Sequence, residues 1–156
     1  FLGVNYYFPE VVIDAPDQYP LRTAIVHPQD RERTDFGWEV SPQGLVDLLA
    51  RVAREYPTGD LYVTENGSAY DDHPDADGAV NDTARRDYLI RHLAATRDAI
   101  AAGAPVKGYF AWSLLDNFEW SEGYLRRFGL TYVDYPTQRR TVKQSGRWYG
   151  AFVRGE

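Results

Sequence analysis

The spacing of apolar residues restricts this chain to an alternation of strands and helices. Residues 2–7, 61–64 and 106–112 form short apolar runs of high strand propensity. The last two runs lack polar alternation, which is typical of strands covered on both faces. Segments of helical periodicity separate the three runs. Because strands that alternate with helices through short connections form parallel sheets with right-handed crossovers, the pattern predicts an α/β fold.

Capping and breaking residues set the limits of the two intervening helices. Ser41 and Pro42 supply an N-cap and a proline at the first helical position, and Pro57 ends the first helix. Asn81 is expected to cap the second helix, which Gly103 ends. The residues expected on the buried face of the second helix are Leu89, Leu93, Thr96 and Ile100.

The remaining segments are predicted to be a loop, a turn and a last helix. Residues 9–35 are rich in Pro, Asp and Arg without periodicity, which indicates a long loop. Thr58-Gly59-Asp60 is predicted to turn the chain into the second strand, and residues 143–153 to form a third helix.

The length argues that the chain is part of a larger fold. Three parallel strands leave sheet edges without a neighbour, whereas closure into an eightfold barrel takes about 200 residues or more. The chain has 156 residues, contains no Met and opens directly on Phe1 in an apparent strand. We therefore expect residues 1–156 to be one partial domain, a fragment of a longer chain.

Composition narrows the expected partners. The formal charge of -6 removes any broad basic surface for nucleic acid or anionic lipid, and no apolar run approaches the about 20 residues that span a bilayer. Cys is absent, so disulfides and thiolate metal sites are excluded. These features favour a small neutral or polar ligand, and the absence of a visible leader favours a cytoplasmic location.

Acidic and aromatic residues gather where the predicted strands end. Glu65, Trp112, Glu119 and Trp120 all lie at or just beyond such ends, where barrel enzymes collect their catalytic groups. A sugar ring has an apolar face and a rim of hydroxyls, so an aromatic platform beside carboxylates suits it. Because burial of Glu119 without a partner would be costly, it must face a ligand or pair with a nearby arginine. The candidate arginines are Arg126 and Arg127.

Three motifs in order resemble glycoside hydrolase family 1. They are Gly3-Val4-Asn5-Tyr6-Tyr7, Tyr62-Val63-Thr64-Glu65-Asn66-Gly67 and Gly108-Tyr109-Phe110-Ala111-Trp112-Ser113-Leu114-Leu115-Asp116-Asn117-Phe118-Glu119-Trp120. The similarity continues through residues 36–40 and 123–130 to Trp148-Tyr149, and so covers nearly the whole chain. It implies strands six to eight of a TIM (β/α)8 barrel and β-glucosidase-type hydrolysis with retention, without a cofactor.

The resemblance also implies a role for each matching residue. Glu65 would be the nucleophile that forms a covalent glycosyl-enzyme intermediate, hydrogen-bonded by Tyr7 and supported by Asn5. The expected sugar contacts are Trp112 as platform, Glu119 and Trp120 to hydroxyls, Phe128 lining the pocket and Trp38 on the leaving-group side. The negative charge of Glu119 would disfavour a phosphorylated sugar. Arg127 would not offset this repulsion, since it is expected to be held structurally before Phe128.

One essential carboxylate is missing. Retention requires a second carboxyl group as acid and base, which the family carries in an Asn-Glu-Pro-like motif, and no Asn-Glu-Pro occurs in this sequence. The N-terminal part of the barrel would therefore be required for activity. The alternative is a carbohydrate-binding fragment or pseudoenzyme without catalysis.

Metal chemistry is not expected. The acidic loop with Asp75 and Asp77 suggests calcium, but alignment as a calcium-binding loop puts His73 first and Ala84 twelfth, so the pattern fails. His27, His73 and His92 lack metal-binding spacing and are expected on the surface.

Overall fold

A computed structural model describes residues 1–57 and 59–156. Thr58 of the predicted turn lies outside the described residues. The strands are β1 (Leu2–Asn5), β2 (Val11–Asp14), β3 (Thr23–Val26), β4 (Leu61–Asn66), β5 (Val106–Ala111), β6 (Thr131–Val133) and β7 (Arg140–Val142). The helices are α1 (Pro42–Glu55), α2 (Thr83–Ala101) and α3 (Gln144–Arg154), with a short 3-10 helix at Trp120–Glu122.

A three-stranded parallel sheet organises the chain. Its order is β1-β4-β5, with α1 connecting the first pair and α2 connecting the second. Val63 in the central strand is aligned with Val4 on one side and Tyr109 on the other. This arrangement confirms the predicted strand-helix alternation and brings the carboxyl ends of all three strands to one edge of the sheet.

Helix α1 follows the predicted limits and covers one face of the sheet. The Ser41 side chain accepts a hydrogen bond from Gly44 N at 3.3 Å, Pro42 starts the helix, and the last helical residue is Glu55. Its apolar stripe buries Leu45 and Leu49 completely. They belong to a core cluster with Val4, Tyr6, Leu61, Val63, Ala99, Ala104 and Val106.

Helix α2 departs from the prediction in its cap and in its buried face. Its N-cap residue is Asp82, and the Asn81 side chain instead donates a hydrogen bond to Asp75 Oδ2. The buried residues are Arg85, Tyr88, Leu89, His92, Ala95, Thr96 and Ala99. Ile100 is exposed. Leu89 and Thr96 are buried as predicted, and Leu93 is half-buried. The apolar periodicity gave an incomplete face because the buried face also contains the polar residues Arg85 and His92.

Two antiparallel hairpins were not predicted. Strands β2 and β3 pair within the segment expected to be a long loop, and β6 pairs with β7 before α3. All four residues of β2 are exposed, so the pairing leaves no alternating pattern in the sequence. Helix α3 lies close to its predicted limits.

Candidate active site

The end of β4 fixes the position of Glu65. The next residue, Asn66, is fully buried and its amide donates to Tyr6 O at 2.7 Å and to Tyr88 Oη at 3.0 Å. Its Oδ1 accepts a hydrogen bond from Tyr109 Oη. Anchoring Asn66 among these groups fixes the backbone next to Glu65, whose side chain is half-buried.

Tyr7 is the direct partner of the Glu65 carboxylate. Its hydroxyl donates to Glu65 Oε2 over 2.7 Å, and the backbone of Tyr6 donates to Glu65 O at 2.9 Å. Burial raises the pKa of the Tyr7 phenol, and the Glu65 carboxylate that it contacts raises the pKa further. Tyr7 therefore stays protonated and acts as a donor.

Asn5 is aligned with Glu65 across strands β1 and β4, and its side chain binds the residue before Glu65. Its Oδ1 accepts a 2.7 Å hydrogen bond from Thr64 Oγ1, on the neighbouring strand. Asn5 thus connects β1 to the residue that precedes Glu65. Its predicted supporting role would operate through Thr64.

Trp112 joins the site through a backbone contact that only glycine permits. Its N–H donates to Asn66 O at 2.9 Å. A Cβ atom placed on Gly67 would lie 2.0 Å from Trp112 O, far inside contact distance. The Glu-Asn-Gly turn and Trp112 are therefore packed main chain to main chain.

Glu119 shares the electrostatic environment of Glu65. Burial is the largest effect on its pKa and raises it; a hydrogen bond from Trp112 opposes this, and the charge of Glu65 adds to the rise. The two candidate arginines are engaged elsewhere. Arg126 pairs with Glu122 at 3.1 Å, and Arg127 pairs with Asp116 at 2.6 Å.

Aromatic rings form a wall next to Tyr7. The Tyr7 ring lies 5.3 Å from Trp38 and 6.0 Å from Phe128 between centroids. Phe36 and Phe8 stack on Trp38 at 4.2 and 4.8 Å. Phe128 is almost fully buried, whereas Trp38 is half-buried. The structure thus brings Tyr7, Trp38 and Phe128 together, and the roles predicted for Trp38 and Phe128 toward a sugar stay predictions.

Trp120 is held differently, in the short 3-10 helix. It is 83% exposed, and its φ of 42° lies in the left-handed region that disfavours non-glycine residues. The hydrogen bond from Glu119 N to Gly123 O, 2.6 Å long, closes this turn. The ring is therefore presented to solvent by a strained backbone, a feature often found at ligand sites.

Most of the groups that support these residues were not predicted from the sequence. Tyr88 and Tyr109 hold Asn66, and a buried ionic cluster lies beneath the loops. Its members are Asp72, Asp82, Arg85, Asp116, Arg127 and Lys143, of which only Arg127 was expected to be held structurally. The available signal was the occurrence of charged residues at positions where a helix or loop packs inward.

The histidines and the acidic loop lie outside the site. His92 is fully buried, so its predicted surface position is wrong; its ring stacks on Tyr88 with centroids 3.8 Å apart. Asp75 in the acidic loop accepts hydrogen bonds from the N–H groups of Asp77 and Ala79. Among the described residues there is no group of three potential metal ligands.

The helices carry no membrane signal. Over residues 1–57 and 59–156, none combines the length and the apolar character needed to cross a bilayer.

Comparison with known proteins supplies a family. The model for glycosyl hydrolase family 1 matches residues 1–156. Beta-glucosidase A from Thermotoga maritima is 49% identical over 154 residues, which are 99% of this chain and 34% of the relative. A 6-phospho-beta-galactosidase from Streptococcus equi subsp. zooepidemicus is 42% identical, over 96% of this chain and 35% of its own length.

Solved structures agree with the sequence matches. The family 1 β-glucosidase from T. maritima superimposes with a TM-score of 0.94 at 49% identity, covering 97% of this chain and 34% of that chain. The same enzyme in complex with isofagomine lactam gives a TM-score of 0.93. The chain thus spans about a third of the length of the relatives that it matches. Its fold is a part of their (β/α)8 barrel.

Proposed function

This chain belongs to glycosyl hydrolase family 1, and from that premise we propose that it supplies the nucleophile-bearing part of a retaining β-glycosidase. The hydrogen bond between Tyr7 and Glu65 carries the proposal, since it holds a carboxylate at the carboxyl end of a barrel strand. The substrates proposed are small β-glucosides or oligosaccharides with terminal, unphosphorylated glucose or a similar sugar.

In the proposed reaction Glu65 attacks the anomeric carbon and displaces the leaving group. One C–O bond forms to Glu65 as the glycosidic C–O bond breaks, and an acid from the preceding part of the barrel protonates the departing oxygen. The conjugate base then takes a proton from water, which attacks the glycosyl ester and releases Glu65. Each step inverts the anomeric carbon, so the product retains the β configuration.

The surrounding side chains suit the sugar. Trp112 offers an aromatic face, and Glu119 offers carboxylate oxygens to hydroxyl donors. We assign Trp120 to further hydroxyls, Phe128 to the pocket wall and Trp38 to the leaving-group side. The exposed ring of Trp120 and the half-buried Trp38 are available for such contacts.

A second candidate function is carbohydrate binding without catalysis. The absence of an Asn-Glu-Pro sequence among the 156 residues favours it for the chain by itself. Sugar contacts through Trp112 and Glu119 do not require an acid. Joining the preceding part of the barrel to this chain distinguishes catalysis from binding without catalysis.

The decisive experiment uses the complete barrel, which we define as residues 1–156 joined to the preceding two thirds of the barrel. That part comes from the gene containing this chain or from T. maritima beta-glucosidase A. We expect the complete barrel to hydrolyse an aryl β-glucoside, and Glu65→Ala to reduce turnover by about 10⁴-fold or more.

Azide then identifies the role of Glu65. In Glu65→Ala, azide should occupy the position of the lost carboxylate and attack once, so that the product is the α-glycosyl azide. Glu122→Ala is the matched control, since Glu122 pairs with Arg126; it should retain hydrolysis and give no azide adduct. A β-glycosyl azide, or wild-type turnover in Glu65→Ala, would remove Glu65 from this role.

A further inference from the structure

A buried lysine bridges the two loops that carry the site. Lys143 precedes α3 and is fully buried, with Nζ 2.6 Å from Asp72 Oδ2 and 2.8 Å from Asp116 Oδ1. Asp72 lies in the loop that follows Glu65. Asp116 lies between Trp112 and Glu119. A single ammonium group therefore connects residues 67–72, here called the nucleophile loop, to residues 113–130, here called the glycone loop.

Asp116 is the anchor of the glycone loop. Besides Lys143, its carboxylate accepts hydrogen bonds from Arg127 Nη1 at 2.6 Å, Gly129 N at 2.9 Å and Val133 N at 3.3 Å. Together these bonds tie the start of the loop to the segment that returns from it. Phe128, which lines the aromatic wall, directly precedes one of these donors.

Asp72 is the corresponding anchor of the nucleophile loop. Its Oδ2 also lies 2.7 Å from Nη1 of the buried Arg85. Arg85 donates to Ser68 O at 3.1 Å in the nucleophile loop and to Arg127 O at 2.6 Å in the glycone loop. Arg85 and Lys143 thus each contact both loops, and buried charges of this kind persist only when paired.

We propose that Lys143 is a positioning residue that sets Glu65 relative to Glu119 by clamping Asp72 to Asp116. The proposal rests on the proposed function for its effect on catalysis. Lys143 does not touch substrate; it acts through the two aspartates. Displacement of a reacting group by about 1 Å can lower the rate about 100-fold. Loss of the Lys143 bridge should therefore reduce turnover by more than the loss of folded protein explains.

The test compares three variants in the complete barrel. Lys143→Met removes the bridge but leaves the buried carboxylates one cation short. Asp72→Asn/Lys143→Met removes one charge of each sign, so it tests the bridge even if the single variant does not fold. Lys143→Arg keeps the cation and should retain part of the activity that Lys143→Met loses.

We expect the charge-balanced variant to lower kcat/KM for an aryl β-glucoside by about tenfold or more per folded site, mainly through kcat. Folded sites are counted by covalent trapping with an activated 2-fluoroglucoside. Leu49→Ala, a core substitution under α1, is the control: it should lower Tm and leave kcat/KM per site within about twofold. A charge-balanced variant that behaves like Leu49→Ala would overturn the proposal.

Amide hydrogen exchange separates this proposal from the proposed function. In the charge-balanced variant, exchange should accelerate in residues 67–72 and 113–130 and stay unchanged in α1. If the wild-type barrel proves inactive, the proposed function fails and exchange alone decides whether the clamp exists. Unchanged exchange in both loops would refute the clamp irrespective of activity.

Discussion

The Tyr7 hydroxyl donates a 2.7 Å hydrogen bond to Glu65 Oε2, linking the chain just after β1 to the end of β4. Tyr7→Phe removes this donor and keeps the ring that packs against Trp38 and Phe128. A hydrogen bond to a charged group contributes about 1.5–3 kcal/mol, so kcat/KM of the complete barrel should fall about 10- to 100-fold.

The matched control for this change is Tyr62→Phe. Tyr62 lies on the same strand as Glu65, and its ring packs edge-on against Phe1. Steady-state kinetics with an aryl β-glucoside should show kcat/KM within about twofold of the wild type. Equal losses in the two variants would indicate that the Tyr7 hydroxyl does not act on Glu65.

The 156-residue chain by itself should lack significant glycosidase activity. Glu65 attack without protonation of the leaving group works only on highly activated substrates, and no Asn-Glu-Pro acid is present in the sequence. We expect kcat/KM for an aryl β-glucoside about 10⁴-fold or more below the complete barrel. Turnover near that of the complete barrel, abolished by Glu65→Gln, would contradict the argument from the missing acid.

Substrate charge should separate the proposed function from a phosphoglycosidase, a question raised by the 42% identity to a 6-phospho-beta-galactosidase. Glu119 carries its charge near Glu65, and Arg127 is committed to Asp116. A 6-phosphate would face the Glu119 carboxylate, so the complete barrel should prefer aryl β-glucoside over its 6-phosphate by about 100-fold or more in kcat/KM.

Substitution at Glu119 tests the cause of this preference. Glu119→Gln should narrow the ratio of the two kcat/KM values by about tenfold, because it removes the like charge. Glu122→Gln loses the same charge three residues away, where the carboxylate is paired with Arg126, and should change the ratio less than about threefold. A wild-type preference for the phosphate would show that the glycone pocket is assigned wrongly.

His92 should make the protein sensitive to acid. Burial lowers its pKa from 6.5 to about 4, so above pH 6.5 the ring is neutral in both the folded and the unfolded chain. Between pH 6.5 and 4 only the unfolded chain binds the proton, and stability falls with falling pH. The shift corresponds to about 3 kcal/mol, lost fully near pH 4.

Thermal unfolding of the complete barrel checks this effect. His92→Phe should lower Tm at pH 7.5, since the hydrogen bond between Nδ1 and Tyr88 O is lost, and the deficit should shrink toward pH 4.5. Thr96→Val removes a buried hydrogen bond to His92 O without a titrating group. Its deficit should be independent of pH. A pH-independent deficit in His92→Phe would exclude the ring as the acid-sensitive group.

Local signals in the sequence predicted the elements that position the site. Ser41, Pro42 and Pro57 set the limits of α1 because capping and ring constraints act within one helical turn. The apolar run before Glu65 predicted β4 because both faces of that strand are covered. The helical connections predicted parallel strands. The position of Glu65, Trp112 and Glu119 at one edge of the sheet could therefore be predicted from the sequence.

Contacts between residues that are distant in the chain could not be predicted from the sequence in the same way. The exposed β2 gives no pattern that distinguishes a hairpin from a loop. His92 was expected on the surface and the burial of Arg85 was not predicted, because the burial of both depends on partners that lie elsewhere in the chain. Asn81 and Asp82 are both good caps, so only the folded chain selects between them.

The main-chain contact between Gly67 and Trp112 has a consequence for sugar preference. In the proposed function, this main-chain contact sets the height above Glu65 of a sugar ring that rests on Trp112. Variation in specificity is therefore expected at the rim, at Glu119 and Trp120. Libraries that randomise these two positions and leave Gly67 and Trp112 intact should yield altered sugar selectivity with the reaction geometry preserved.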